Sequence, residues 1–370
     1  MSLYDERLKR TMDAVQMKPV DKIPMSFNGP AYIARRQGIS IADFLSDYSL
    51  AAEKSIEFCL EHPCVDSIHS PIMEVKTLSI LWLTKAKVPG VDLPADELWQ
   101  LDEKENIKFE DYEKMISMGY GKWVNKYLKE TIGTTMSSLA PYLMKYPGIK
   151  KTVKKKGQLP IMNDASYGTA FEGICGGRQL MNFYMDLFEE GELLKKVLDS
   201  AHEYTMKSWR MMISAMKPKF AWVGGWRAAP AMLSHDNWME FVWPYLKPLI
   251  LECTDRGITP VLHFDSDWSS ELETLKELPP RKCILMLDGS TDMRKAREVL
   301  GDRMCLMGDV PATMLAFGSD TEVYNYVTKL IDDVGSKTGL IVSSGCDCPL
   351  NAKDENVDAM IQAVADYQVR

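Results

Sequence analysis

Three side chains that commonly bind a metal ion occur at the ends of two apolar segments of the sequence. His263 and Asp265 lie at the end of segment 259–264, and Cys346 follows segment 340–343. Alternate side chains of a β-strand point to the same side, so we expect His263 and Asp265 to face a common point. An imidazole, a carboxylate and a thiolate are a normal zinc ligand set, with one position left for water or substrate. A hydrogen-bonded His–Asp pair without metal is the alternative.

Further residues that could contact a substrate follow similar apolar segments elsewhere in the chain. They are Asn28, His69, Asn163, Tyr167, Trp226 and Trp268. The three polar residues of this set could orient a substrate or support the metal ligands. The three aromatic residues could form the walls of an aromatic-substrate site, although each could equally anchor a loop.

The elements that would position these side chains alternate between strands and helices. After residue 158, short apolar strands are separated by segments with helical periodicity, which predict helices at 238–256, 268–277 and 320–335. Continuous apolar strands are typical of a parallel sheet covered on both faces. Since no Gly-x-Gly-x-x-Gly turn follows a strand, a barrel is favoured over an open dinucleotide-binding sheet. The pattern predicts an α/β fold of the (β/α)8 TIM-barrel type, with reactive groups where the strands end.

The whole chain, residues 1–370, is interpreted as one barrel domain. Residues 1–20 predict an N-terminal amphipathic helix that stops before Pro19. The segment 84–157 begins with a polar stretch and predicts an excursion at the mouth of the barrel.

Composition excludes several classes of protein. A formal charge of −8 argues against nucleic acid as a partner, because phosphate binding needs a concentrated basic surface. The basic cluster 145–156 is interpreted as a solvated surface, with docking of an acidic protein as the alternative. The chain has no apolar run of about 18 residues and its N-terminus lacks a secretory pattern, so we expect a cytoplasmic protein without a membrane span.

Several segments, in the right order, resemble the uroporphyrinogen decarboxylase superfamily, including its corrinoid-dependent methyltransferase branch. The matching segments are 7–24, Trp-Pro-Tyr-Leu-Lys at 243–247, Met-Gly-Asp-Val-Pro at 307–311, and 344–358 with its Gly-Cys-Asp-Cys-Pro sequence. The decarboxylase holds its substrate through an early Arg-rich segment, but here residues 27–32 read Phe-Asn-Gly-Pro-Ala-Tyr. The central aspartate of the decarboxylase is also absent, because the corresponding segment here, residues 68–71, reads Ile-His-Ser-Pro.

The methyltransferase branch carries His-x-Cys and a distant Gly-Cys as zinc ligands. The corresponding residues here are His263-Phe264-Asp265 and Gly345-Cys346, with a carboxylate in place of the middle thiolate. Zinc accepts carboxylate oxygen, so the resemblance implies a zinc site in which His263, Asp265 and Cys346 are the ligands and catalytic residues. Asp288 and Cys348 are candidates to complete the ligand set.

The resemblance implies a zinc-dependent methyltransferase that moves a methyl group between a small molecule and a corrinoid protein. The chain has no Asp-x-His-x-x-Gly signature, so a separate corrinoid protein would supply the cobamide. The carboxylate ligand makes zinc harder and favours a methoxylated donor, for example an aromatic one. Alternatives are a methylcobamide:thiol methyltransferase, a decarboxylase, for which Arg227 is the nearby cation, and a non-catalytic corrinoid-binding barrel. The sequence leaves open the donor, the direction of transfer and whether the chain forms a homodimer.

Overall fold

Short apolar segments form the strands at the centre of the structure. The protein is described by a computed structural model that covers residues 1–335 and 338–369. The strands are β1 (Met25–Phe27), β2 (Val65–Ile68), β3 (Lys85–Lys87), β4 (Gln100–Asp102), β5 (Ala165–Tyr167), β6 (Phe220–Gly225), β7 (Thr259–Phe264), β8 (Ile284–Met286), β9 (Cys305–Val310) and β10 (Leu340–Ser344). Each strand except β3, β4 and β5 is almost completely buried.

Eight of these strands form a parallel sheet in the order β2-β1-β10-β9-β8-β7-β6-β5. The two edges of this sheet meet, because the segment before β5 runs beside β2. Ile161 forms a parallel bridge with Ile68, whose amide lies 3.1 Å from the carbonyl oxygen of Pro160. The amide of Met162 in turn donates to the carbonyl oxygen of Ile68 at 2.8 Å. The sheet is therefore closed, and the predicted (β/α)8 barrel is confirmed.

Helices surround the barrel and also extend over one end of it. They are α1 (Leu3–Val15), α2 (Pro30–Arg36), α3 (Ile41–Ser46), α4 (Tyr48–Glu61), α5 (Val75–Leu81), α6 (Asp111–Ser117), α7 (Tyr120–Tyr127), α8 (Ala140–Thr152), α9 (Ala170–Arg178), α10 (Leu180–Glu189), α11 (Gly191–Met216), α12 (His235–Phe241), α13 (Trp243–Asp255), α14 (Met293–Leu300), α15 (Ala312–Phe317), α16 (Asp320–Leu330) and α17 (Asp354–Asp366). Within the described ranges, none of them has the length and apolar character needed to cross a membrane.

The N-terminal helical region forms as expected. A capping box at Ser2 starts α1, and the helix ends at Val15, before Pro19. Arg7 of this helix is buried and donates to the carbonyl oxygens of Gly157, at 3.0 Å, and Pro63, at 3.2 Å. The helix is thereby joined to two loops that are distant in sequence.

The predicted helix at 268–277 is wrong, because only the single 3₁₀ turn Thr274–Glu277 forms there. Trp268 is buried, and its amide donates to the Thr291 hydroxyl at 2.8 Å while its indole N–H donates to the Phe264 carbonyl oxygen. The amide of Ser269 donates to Asp267 at 2.8 Å. In a helix, the backbone N–H groups of the first turn have no partner within the helix. Here these N–H groups donate to side chains instead, and the chain is held in a loop.

The segment 84–157 contains the antiparallel hairpin β3–β4 and the helices α6, α7 and α8. Trp99 and Leu101 of the hairpin and Tyr120 of α7 face the same cavity as the ends of the barrel strands. The last helix of the segment, α8, packs against α4. The hairpin and α7 thus cover the cavity, and α8 packs among the helices outside the barrel.

Candidate metal centre and substrate cavity

Three potential metal ligands meet at the carboxyl ends of two barrel strands. His263 lies near the end of β7, Asp265 follows that strand, and Cys346 follows β10. The Nε2 atom of His263 lies 3.1 Å from Oδ1 of Asp265, and the ligand atoms of all three residues lie within 4.8 Å of one another. Tetrahedral zinc with bonds of 2.0–2.3 Å holds its ligand atoms roughly 3.5 Å apart, so small side-chain movements would close a site here.

The orientation of His263 also suits a metal ligand. Its Nδ1 atom lies 3.1 Å from the carbonyl oxygen of Met286 on β8, so Nδ1–H donates there and Nε2 is left to face Asp265 and Cys346. A hydrogen bond of this kind to a backbone carbonyl fixes the tautomer of metal-binding histidines. Burial disfavours the charged ring, but Asp265 and Cys346 outweigh it and raise the pKa of His263 well above its ordinary value.

A glycine beside His263 makes this arrangement sterically possible. Gly224 on β6 pairs with His263 on β7. A Cβ atom on Gly224 would lie 1.7 Å from the carbonyl oxygen of His263, which no side chain tolerates. Gly345 has a similar role, since its Cβ would lie 2.5 Å from the carbonyl oxygen of Asp288. Gly224 thus lets β6 and β7 approach each other closely, and Gly345 does the same for the loops that follow β8 and β10.

The three residues line a cavity of about 500 Å³. The predicted substrate-contacting residues that also line it are Asn28, His69, Asn163, Tyr167 and Trp226. Barrel closure brings these positions together, although they come from different strand ends. Trp268 is the exception, because it is buried in the core and its predicted place in the cavity wall is wrong.

His69 lines this cavity and has one ring nitrogen that is buried without a hydrogen-bond partner in the described part of the chain. The residue is only 2% exposed, and its Nε2 atom has no hydrogen-bond partner among the described residues. Burial first, and then the charge of His263, lower the pKa of His69 to about 3. The ring is therefore neutral at physiological pH and can form one hydrogen bond with a bound molecule.

The two aromatic residues of the set are held by contacts behind them. The ring of Tyr167 stacks on Trp209 with centroids 5.3 Å apart. The guanidinium carbon of Arg227 lies 4.0 Å from the centre of the Trp226 ring. Asn163 is also anchored, because its Oδ1 accepts from the Ser166 hydroxyl at 2.5 Å. These contacts would reduce the motion of the cavity wall on ligand binding.

The two other ligand candidates lie outside the cluster of three among the described residues. Both carboxylate oxygens of Asp288 accept backbone amides, from Ser266 at 2.7 Å and from Ser290 at 2.9 Å. Cys348 is buried against Gly29, and its amide donates to the carbonyl oxygen of Asn28 at 2.7 Å. Asp288 thus organises a loop, and Cys348 packs beneath the site.

One acidic residue of the cavity was not assigned a role from the sequence. Asp347, directly after Cys346, lines the cavity and is reached by water there. The atoms of the cavity wall partly remove its hydration and so raise its pKa, although the charge of His263 and a hydrogen bond from Asn28 oppose the rise. Its position between Cys346 and Cys348 was the signal that could have identified it.

Comparisons with known proteins agree with this architecture. A family model described as "Uroporphyrinogen decarboxylase (URO-D)" matches residues 149–367. The uroporphyrinogen decarboxylases of Chlorobium phaeobacteroides and Alkalilimnicola ehrlichii are each 27% identical over 48% of this chain, covering 49% and 48% of their own lengths. The chain thus matches about half the length of these curated relatives.

A solved structure described as a methyltransferase from Methanosarcina mazei has the same fold. Its TM-score is 0.70, and the superposition covers 98% of each chain at 16% sequence identity. The family match covers more than half of the chain and includes the six barrel strands β5 to β10. The chain therefore belongs to the uroporphyrinogen decarboxylase (URO-D) family.

Proposed function

We propose that this protein is a zinc-dependent methyltransferase that moves a methyl group from a methoxylated substrate to the cobamide of a separate corrinoid protein. The observation that carries the proposal is the convergence of His263, Asp265 and Cys346 on one point at a largely apolar cavity. The likeness in fold to a methyltransferase supports it.

The ligand set decides which chemistry the site favours. Zinc bound by these side chains would supply a Lewis acid that stabilises negative charge on the oxygen that loses its methyl group. The carboxylate of Asp265 is a harder ligand than a thiolate and favours oxygen over sulfur as the atom to be activated. This preference separates demethylation of a methyl ether from methylation of a thiol.

The remaining residues would hold the donor in place. The neutral ring of His69 can hydrogen-bond to a polar atom of the donor, and Asn28 offers a second polar contact. Tyr167 and Trp226 would pack against an aromatic ring. Such positioning brings the methyl carbon to a fixed place relative to the acceptor, which is a large part of catalysis in group transfer.

The transfer requires an acceptor that the cavity itself does not enclose. The carbon–oxygen bond of the donor breaks and its electron pair remains on oxygen, which then takes a proton from water. The methyl group would pass to the reduced cobalt of a cobamide carried by the partner protein, which would supply the electron pair of the new bond. A complete cobamide, with its amide side chains and nucleotide loop, is larger than a cavity of about 500 Å³, so the partner protein would have to present it at the mouth.

Zinc binding tests the proposal first. We expect about one zinc per chain in the wild-type protein, and loss of zinc in both His263→Ala and Cys346→Ala. His235→Ala is the matched control, because this histidine lies on the surface and pairs with Glu271 away from the cavity. A wild-type protein that binds no zinc under reducing, chelator-free conditions would contradict the proposal.

Methyl transfer to a purified corrinoid protein then separates the alternatives. Methylation of the reduced cobamide by a methyl ether is the expected result. Methylation of thiols alone would favour a methylcobamide:thiol methyltransferase. Binding of zinc and of the corrinoid protein without any transfer would favour a non-catalytic barrel, and release of carbon dioxide from an acid would favour a decarboxylase.

A further inference from the structure

Apart from His263, which is paired with Asp265, the charged residues of the cavity are all acidic. Glu74, Asp164, Asp265 and Asp347 line it, whereas none of the lining residues within 1–335 and 338–369 is a lysine or an arginine. The rest of the wall is largely apolar or aromatic, with side chains such as Trp99 and Trp222. A carboxylate, sulfonate or phosphate entering this cavity would lose its hydration without gaining a cationic partner, which is costly.

Two cations, Arg227 and Lys150, lie close to the cavity, but neither of them lines it. Arg227 is fully buried outside the cavity lining: its Nη2 pairs with Glu103 and its guanidinium lies against the ring of Trp226, whereas its Nε and Nη1 have no hydrogen-bond partner among the described residues. Lys150 lies 2.7 Å from Asp164 and balances the charge of that carboxylate. The charge of Lys150 is therefore already balanced, and Arg227 contributes no atom to the cavity wall with which a bound anion could pair.

A bound metal would not reverse this charge pattern. The two positive charges of Zn²⁺ would be balanced by the carboxylate of Asp265 and the thiolate of Cys346, while His263 binds metal as a neutral ring. Glu74, whose carboxylate accepts the hydroxyl of Tyr48, has no cationic partner among the described residues. The loaded cavity would still present no net positive charge.

From this we infer that the cavity selects uncharged donors, so that the methyl donor is a neutral methyl ether without a carboxylate, sulfonate or phosphate group. The inference rests on the proposed function for the nature of the reaction, and on the lining residues for the charge of the donor. It names a substrate class: small methoxylated compounds, aromatic ones included, that carry hydroxyl groups rather than acid groups.

A pair of ligands of matched shape tests this selection. Binding of 4-methoxybenzyl alcohol and of 4-methoxybenzoate to the zinc-containing protein is measured by isothermal titration calorimetry. We expect the alcohol to bind at least about tenfold more tightly, because only the benzoate brings an unpaired negative charge into the cavity. Equal or tighter binding of the benzoate would overturn the inference, as would failure of the alcohol to bind.

A lysine added to the rim should reduce the preference. Leu143 on α8 lines the cavity and is 45% exposed, so a long polar side chain fits there without disturbing the core. We expect Leu143→Lys to lower the alcohol-to-benzoate affinity ratio by about threefold or more, and the uncharged control Leu143→Gln to leave it unchanged. An unchanged ratio in Leu143→Lys would overturn the inference, since binding would then lie away from this cavity.

Methyl transfer, assayed separately, distinguishes the two proposals. If the alcohol binds preferentially but neither compound methylates the reduced cobamide, the charge selection stands and the proposed function fails. If the benzoate binds and is demethylated as well as the alcohol is, the proposed function stands and the charge selection fails.

Discussion

The contact between Gly224 and His263 leads to a specific prediction about the metal site. Replacing Gly224 by alanine would place a Cβ atom 1.7 Å from the carbonyl oxygen of His263, whereas real Cβ atoms keep at least 3.0 Å. Both atoms belong to paired barrel strands, so rotation of a side chain cannot relieve the clash. The backbone of β7 must move away from β6 at the residue that carries the imidazole.

The expected cost of Gly224→Ala follows from this displacement. Overpacking of a well-packed core costs about 1–3 kcal/mol, and a clash with backbone belongs at the upper end, so we expect a loss of about 3 kcal/mol in the free energy of unfolding. Displacement of the ligand ring should also weaken zinc binding by about tenfold or more, as loss of supporting contacts does at other metal sites. Urea unfolding and a competitive zinc titration measure the two effects.

The control is Gly148→Ala on α8. Nothing lies within 4 Å of a Cβ atom at Gly148, which is exposed and not at a positive φ. Alanine should stabilise this helix position by up to about 1 kcal/mol and leave zinc binding unchanged. If Gly224→Ala unfolds at the same urea concentration as the wild type and binds zinc equally well, the steric reasoning is wrong.

Three further predictions concern residues away from the cavity wall. Burial raises the pKa of Asp309, which accepts the hydroxyl of Tyr326 at 2.8 Å, to about 6. Below pH 4 the protonated carboxyl of Asp309 contributes about 3 kcal/mol to the free energy of unfolding, and this contribution is lost as pH rises from 4 to 6. Asp309→Asn should therefore make the free energy of unfolding less dependent on pH in that range. A profile unchanged by the substitution would contradict the assignment. Arg7→Met should lower the free energy of unfolding by about 2–4 kcal/mol, because Arg7 donates to three main-chain carbonyls, whereas exposed Lys9→Met should change it by less than about 1 kcal/mol. Equal effects of these two substitutions would refute that reasoning. Asp288→Asn should keep one zinc per chain, since its carboxylate binds two backbone amides, and loss of zinc would show that Asp288 is a ligand after all.

The sequence was sufficient to predict the barrel and the principal residues of the cluster. Buried parallel strands must be apolar on both faces, so β6, β7, β9 and β10 appear in the sequence as short apolar runs. Reactive groups of such barrels lie at the carboxyl ends of strands, and this rule predicts His263, Asp265 and Cys346 as site residues. The two-residue spacing on β7 further predicted that His263 and Asp265 face the same point, and their side chains do lie 3.1 Å apart.

The tertiary structure decided which strand-end residues converge. Asp288 follows β8 as Asp265 follows β7, yet its carboxylate accepts the amides of Ser266 and Ser290, and these two hydrogen bonds keep it out of the cluster of three. The loop after β7 does not form the helix predicted at 268–277, since Thr291 and the buried Trp268 fix its backbone. Local sequence determines periodicity and strand ends. Hydrogen bonds between segments that meet only after the barrel closes determine where each polar side chain points.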